Sequence, residues 1–280
     1  NGSEISFLRE KHLIIISDNV NLEPGEEAKV AFSYGGSIDE TLCYLDIDEK
    51  TMQEKYGKFV INVDKRFAFI TPNYVLLTPE ANWYPKTGVT YSSENVSWYQ
   101  PQFINFNLEV KTKSGLQAVS QGNVNEVSEG QFKFENDHPL TQITLAIGNY
   151  KQKTVEGKDI KFGIWYLEGH DFFVHSFKEI NDTIPSIINE RFEDFERTYN
   201  LNYSFSRFSL VEVPAQFKTF KRSWKSSQEY VQPEQVLIPE KGFMINAVDF
   251  ETQQKNMQRW RRGDNNMTPF DMELRVFEDF

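Results

Sequence analysis

Two short apolar runs, each stopped by a proline, constrain this 280-residue chain more than any other feature. Leu210, Val211 and Val213 end at Pro214, and Val236, Leu237 and Ile238 end at Pro239. Aliphatic, partly β-branched runs closed by a breaker read as strands, because a proline cannot donate to the next rung of a ladder. The connection between them carries the segment SSQEYVQPE, too polar for a core strand and too patterned for a linker. The expectation is strand, polar connection, strand, with the connection as the first place to look for a bound substrate.

Composition sets the class around this unit. The length exceeds the usual single domain, so two domains are expected, and an aromatic content of 15% with 24 Phe and 12 Tyr favours strands. A formal net charge of −11 argues against a nucleic-acid partner, which needs clustered Lys and Arg to release counterions from phosphates. The basic cluster Arg259, Arg261 and Arg262 reads as the charged end of an exposed helix. Cys43, the one cysteine, lies in an apolar run without a basic neighbour, so a buried, inert thiol is expected, and compartment cannot be read from it. No stretch approaches the roughly 18 to 20 apolar residues that span a bilayer. Thr268, Pro269 and Asp271 form a helix-start signal close to the last residue, which suggests a segment taken from something longer.

Read in order, the chain is β-rich for its first 172 residues. Apolar residues 13–16 predict a strand, and Ala28, Val30, Phe32 and Tyr34 alternate after a Pro-Gly turn, predicting a strand with one buried side. Phe69 and residues 74–77 lead into a rigid corner of Pro79, Trp83, Tyr84 and Pro85. Evenly spaced strands are then expected over residues 102–110, 117–122, 130–135, 141–150 and 160–167, a pattern of antiparallel sheet or sandwich. From Ile184 the positions Ile187, Ile188, Phe192, Phe195 and Tyr199 step by three and four, predicting a helix whose apolar face packs inward. The predicted fold class is therefore mainly β with an α/β second part. Two domains are expected, residues 1–172 and residues 173–280.

The chemistry-bearing residues are sparse. His170 and His175 stand five apart in HDFFVH, so they share a face on neither a helix nor a strand, and HExxH occurs nowhere in the 280 residues. Neither a Gly-rich phosphate loop nor a GxSxG elbow is present. Glu229 and Glu234 flank Tyr230, Val231 and Pro233, and a Glu presented from a sheet edge can accept hydrogen bonds from an ammonium group. Trp83, Trp98 and Trp165 prompt a further reading, a carbohydrate-binding sandwich with exposed coplanar aromatics.

The order of LEPGEEAKVAFSYGG, WYP, residues 139–150, the helix to Tyr199 and RFSLVEVPAQF resembles the zinc aminopeptidase family typified by aminopeptidase N. SSQEYVQPE-like text is similar to the peptidase-like extracytoplasmic region fused to certain bacterial ABC-transporter permeases. The resemblance implies an antiparallel β saddle followed by the opening of a thermolysin-like α+β domain. It also implies that Glu229, with Gln228 beside it, stands where the family binds a substrate's amino terminus, although the Gly, Met and Asn of that motif are missing. Two expectations follow. One is a non-catalytic, peptidase-derived recognition or scaffolding domain, extracytoplasmic, taking a peptide or protein ligand and joined to transmembrane parts of a parent chain. The other is a truncated zinc aminopeptidase whose HExxH helix lies beyond residue 280, in which case zinc belongs to the parent and this segment carries no cofactor.

Overall fold

The computed structural model describes residues 4–10, 13–16, 23–36, 68–87, 102–171, 176–214, 217, 230–240, 252, 255, 256 and 267–279. Two compact units emerge, Asn1–Ser37 with Tyr84–Pro101, and Ile38–Trp83 with Gln102–Phe280. In the first, β1 (Phe7–Glu10) and β2 (Leu13–Ile16) form an antiparallel ribbon in the register Phe7 to Ile16. The strand expected over residues 28–34 is corrected. Val30, Phe32 and Tyr34 are exposed and join no ladder among the described residues, because alternation buries a face only where a partner covers it.

The second unit is layered. Its middle layer is a four-stranded antiparallel sheet of β3 (Phe69–Ile70), β4 (Val75–Leu77), β6 (Gln117–Val119) and β9 (Leu145–Gly148), ordered β3-β4-β9-β6. Alternation sends its side chains to two separate cores. Leu76, Val119 and Ala146 join Val211, Val213 and Leu237, whereas Leu77, Ala118, Leu145 and Ile147 join Val110, Phe132 and Phe134. Both faces are covered, so the strands read as continuous apolar runs rather than alternating ones. Burying a side chain such as Leu76 completely contributes about 1.5 to 3 kcal/mol.

On one side lies an antiparallel sheet of β5 (Asn107–Lys111), β7 (Asn123–Ser128) and β8 (Gln131–Glu135), with β8 in the centre. On the other lies a five-stranded sheet of β10 (Tyr150–Glu156), β11 (Lys161–Leu167), β12 (Arg207–Val213), β13 (Val231–Gln232) and β14 (Gln235–Pro239). Its order is β10-β11-β12-β14-β13; β11, β12 and β14 run parallel, and the two edges run antiparallel to them. The strands expected at Pro214 and Pro239 are thus neighbours, Leu210 opposite Val236 and Val211 opposite Leu237. A mainly β chain with an α/β part is what the residue pattern predicts. The boundary expected between residues 172 and 173 falls in the connection after β11, and this sheet takes strands from both segments that it separates.

Parallel β11 and β12 require a crossover, which the helix α1 (Ile184–Tyr199) supplies. Pro185 sits in its first turn, and Asn200, with φ of 51°, ends it by donating its N–H to Glu196 O. A second helix, α2 (Pro269–Asp279), starts as its capping signal predicts: Thr268 N–H donates to Asp271 Oδ2 at 2.8 Å, and Asp271 N–H to Thr268 Oγ1 at 3.2 Å. The helices meet through Ile180, Ile184 and Val276, beside Val155 of β10. Helix α1 corrects one expectation, because Phe195 and Tyr199 are 62% and 65% exposed where the periodicity places them inward.

Two strands escape the pattern. The segment that reads as one strand over residues 141–150 is broken at Asn149, and β10 begins at Tyr150; β7, with every residue exposed, carries no apolar face to announce it. Gly122, at the turn into β7, has φ of 87°, and a Cβ there would lie 2.6 Å from the carbonyl oxygen of Glu135. Gly122→Ala combines a left-handed backbone penalty with a backbone overlap, so a loss of about 2 to 4 kcal/mol is expected. A lowered denaturant midpoint with an unchanged m-value is the measurement that checks it.

Candidate functional site

The parallel strands give the five-stranded sheet two chemically different ends. At the amino end, Arg207 opens β12 and Glu234 precedes β14. Arg207 donates to Asp137 Oδ2 at 3.1 Å and to Asn123 Oδ1, and its guanidinium lies 3.7 Å from Glu234. Glu234 accepts the N–H of Gly122 at 2.8 Å and holds φ at 60°, a conformation costly for a residue with a Cβ. Burial pushes its carboxyl above the ordinary range, against the pull of the Gly122 N–H and of Arg207. This cluster ties the five-stranded sheet to the β6–β7 turn and is structural. Glu234 is not presented to a ligand: it is 5% exposed, because the β6–β7 turn closes over it.

The carboxyl end is where open sheets of parallel strands receive ligands. Val211 and Val213 of β12 face the middle layer, so Glu212 between them points the other way. A strand reading leaves such a residue in water, yet Glu212 is only 2% exposed. The turn after β11 covers it. Leu167 N–H donates to Glu212 Oε2 at 2.6 Å, and His170 Nδ1 stands 2.7 Å from Oε1. Gly169, with φ of 83°, and the bond from His170 N–H to Leu167 O at 2.9 Å shape the turn that delivers the imidazole.

Two tyrosines extend the cluster inward. Tyr150 donates its hydroxyl to Glu212 O at 2.7 Å, and the hydroxyl of Tyr74 lies 3.2 Å from that of Tyr150. Burial is the main cause that raises the Tyr150 hydroxyl well above its ordinary value, and for Tyr74 the neighbouring Tyr150, Glu240 and Glu212 add to it. Both remain neutral hydrogen-bonding groups across the physiological range. Gly148 makes room for them: a Cβ there would meet Tyr74 Cδ2 at 3.1 Å and Tyr150 Cε2 at 3.2 Å.

The arrangement fixes an imidazole by its Nδ1. Glu212 engages Nδ1, which leaves Nε2 for a ligand, and the side chain is 29% exposed. That suits a hydrogen bond with a ligand. Among the described residues no group of three or more His, Cys, Asp or Glu could hold a metal ion.

Of the residues singled out from sequence, Gln228, Glu229, His175 and Trp98 lie outside the described residues, as do Cys43 and the Arg259 cluster. Tyr230, the next residue after Glu229, packs against the core of the sheet, and its carbonyl accepts the N–H of Leu237 at 2.7 Å. Trp83 and Trp165 are half-buried against two different cores, so they do not form a coplanar sugar platform. Glu212, Tyr150 and Tyr74 were not legible as site residues; the one available signal was an acid between two strand valines beside a turn that ends in His.

No protein-family model and no curated protein matches the sequence. Among solved structures, the chain is similar to a mutant of an M1 zinc metallopeptidase from Deinococcus radiodurans, with 13% identity and a TM-score of 0.32, over 41% of this chain and 28% of that one. It is also similar to Legionella pneumophila aminopeptidase A in complex with aspartic acid, with 14% identity and a TM-score of 0.32, over 54% of this chain and 18% of that one. The chain thus spans less than a third of either enzyme's length.

The buried pair predicts its own signature. Glu212→Gln places an amide where two donors now meet a carboxylate, so a loss of about 1 to 3 kcal/mol is expected. The Nδ1 resonance of His170 should shift on loss of its carboxylate partner, as read by two-dimensional NMR. For Glu234, a raised carboxyl means that the folded state holds its proton more tightly than the unfolded chain. Stability from this residue is therefore largest below the ordinary carboxylate value of about 4.3 and is lost as pH rises through the raised value. Thermal melts from pH 4 to 7 should show this slope in the wild type and a flatter profile in Glu234→Gln.

Proposed function

We propose that this chain is a non-catalytic, peptidase-derived recognition domain, carried outside the cytoplasm by a transporter-associated parent. It binds the free amino end of a peptide. The observation that supports this reading is the placement of β13 as the edge strand of the mixed sheet, with Val231 exposed and no strand paired to its outer side among the described residues. An edge of this kind accepts an extended peptide through main-chain hydrogen bonds. One residue, Tyr230, separates β13 in sequence from Glu229 and Gln228.

Glu229 supplies the carboxylate that pairs with the ligand's ammonium group, and Gln228 supports it. Lack of HExxH anywhere in the sequence, with no three-donor metal group among the described residues, favours binding over hydrolysis. The transporter setting rests on the likeness of SSQEYVQPE to text in permease-fused regions, and the transmembrane parts belong to the parent. No helix among the described residues is long and apolar enough to cross a membrane.

The test is calorimetric titration of the 280-residue chain with tetrapeptides whose amino termini are free or acetylated, alongside zinc and a panel of aminoacyl substrates. Free amino termini should bind at least tenfold more tightly than acetylated ones, about 1.4 kcal/mol, and Glu229→Gln should remove that preference. Stoichiometric zinc with turnover would put the aminopeptidase reading first, and equal binding of both peptide forms would remove Glu229 from its assigned role.

A further inference from the structure

The exposed end of α1 is a second candidate site, remote in sequence from β13. A cavity of about 290 Å³ opens there, walled by Phe192, Phe195, Tyr199 and Tyr203, with Leu201 and the carboxylate of Glu196 on its rim. The rings are ordered against one another. Phe195 and Tyr199 stack at 6.1 Å with planes 8° apart, and Phe192 meets Tyr203 edge to face at 5.4 Å. Phe195, Tyr199 and Leu201 are all more than 60% exposed, an apolar patch at the carboxyl end of α1, whose Ile184 and Ile188 are packed.

Three features give this cavity a sign. Ring faces carry the negative part of the aromatic quadrupole and attract cations within about 6 Å. Glu196 adds a full negative charge, and its side chain is fixed because Oε1 accepts the N–H of Tyr203 at 2.6 Å. The cavity also lies at the carboxyl end of a sixteen-residue helix, the negative pole of its dipole. No Lys or Arg lines it, and Arg197, the nearest cation in sequence, is paired with Asp194.

We propose that this cavity binds an alkylammonium cation, with its methyl or methylene groups against the rings and its charge facing Glu196. Size agrees, since a trimethylammonium group fills part of such a volume and leaves room for one substituent. A neutral ligand of the same shape would gain the apolar contact and forgo the charge. Tyr203 is suited to its place: its hydroxyl donates to Arg207 O at 2.8 Å, so its ring orientation is set from behind.

The experiment is chemical-shift titration of the isotope-labelled 280-residue chain with choline chloride and with 3,3-dimethylbutan-1-ol, its uncharged isostere. A third arm uses the capped lysine Nα-acetyl-lysine N-methylamide. Choline should shift the amides of residues 195–203 saturably and bind about tenfold more tightly than the alcohol. Glu196→Gln, which keeps an acceptor for Tyr203 N–H, should erase most of that ratio, and Tyr199→Ala, a change at an exposed position, should weaken choline severalfold without altering the melting transition. A preference for choline over the capped lysine identifies a small quaternary cation, and the reverse a peptide-borne one. Equal affinity for choline and the alcohol, shifts that follow protein concentration and not ligand, or no saturable shift would each overturn the proposal.

Discussion

The structure depends on one sheet whose inner strands are covered on both faces. β3, β4, β6 and β9 lie between two other sheets, and β4, β6 and β9 each divide their side chains between two cores, Leu76 to one and Leu77 to the other, Val119 to one and Ala118 to the other. A register slip of one residue in β9 would exchange Ala146 for Leu145 and Ile147 and misfit both cores together. The outer sheets do not share this constraint. They need only one buried face, which leaves their opposite faces and ends available for polar chemistry.

Two buried glutamates show how differently those ends are used. Glu234 serves connection: it accepts the Gly122 N–H, stands beside Arg207 and carries a backbone strain offset by the contacts around it. Glu212 serves orientation, holding His170 by Nδ1 and capping the Leu167 N–H. Both carboxylates are hydrogen-bonded, as burial of charge demands. The difference lies in what each presents outward. Behind Glu234 is more protein, whereas beyond Glu212 is a half-exposed imidazole with one nitrogen to offer.

Much of the layout was legible in the sequence, for identifiable reasons. Residues 184–199 carry a 3.6-residue period and Thr268 with Asp271 a reciprocal cap, both local signals that need no distant partner. Proline stops at Pro214 and Pro239 marked the ends of two strands that proved to be neighbours. Misreadings arose where the outcome depended on a partner. Residues 28–34 alternate yet join no strand ladder among the described residues, β7 pairs without alternating, and Phe195 and Tyr199 lie on the predicted inner face of α1 yet are exposed.

The sequence by itself determined the mainly β class, the helix over residues 184–199, the Thr268 and Asp271 cap of α2, and the absence of a zinc-peptidase motif, because these follow from periodicity, turn chemistry and residue identity along a short window. Only the tertiary structure decided that Glu212 is dry, that His170 is its partner 42 residues away, and that aromatic residues of α1 and of the segment after it enclose a cavity. The physical reason is common to all three. Burial and hydrogen bonding belong to pairs of surfaces, and a single strand or helix states which face it offers without stating what will cover it.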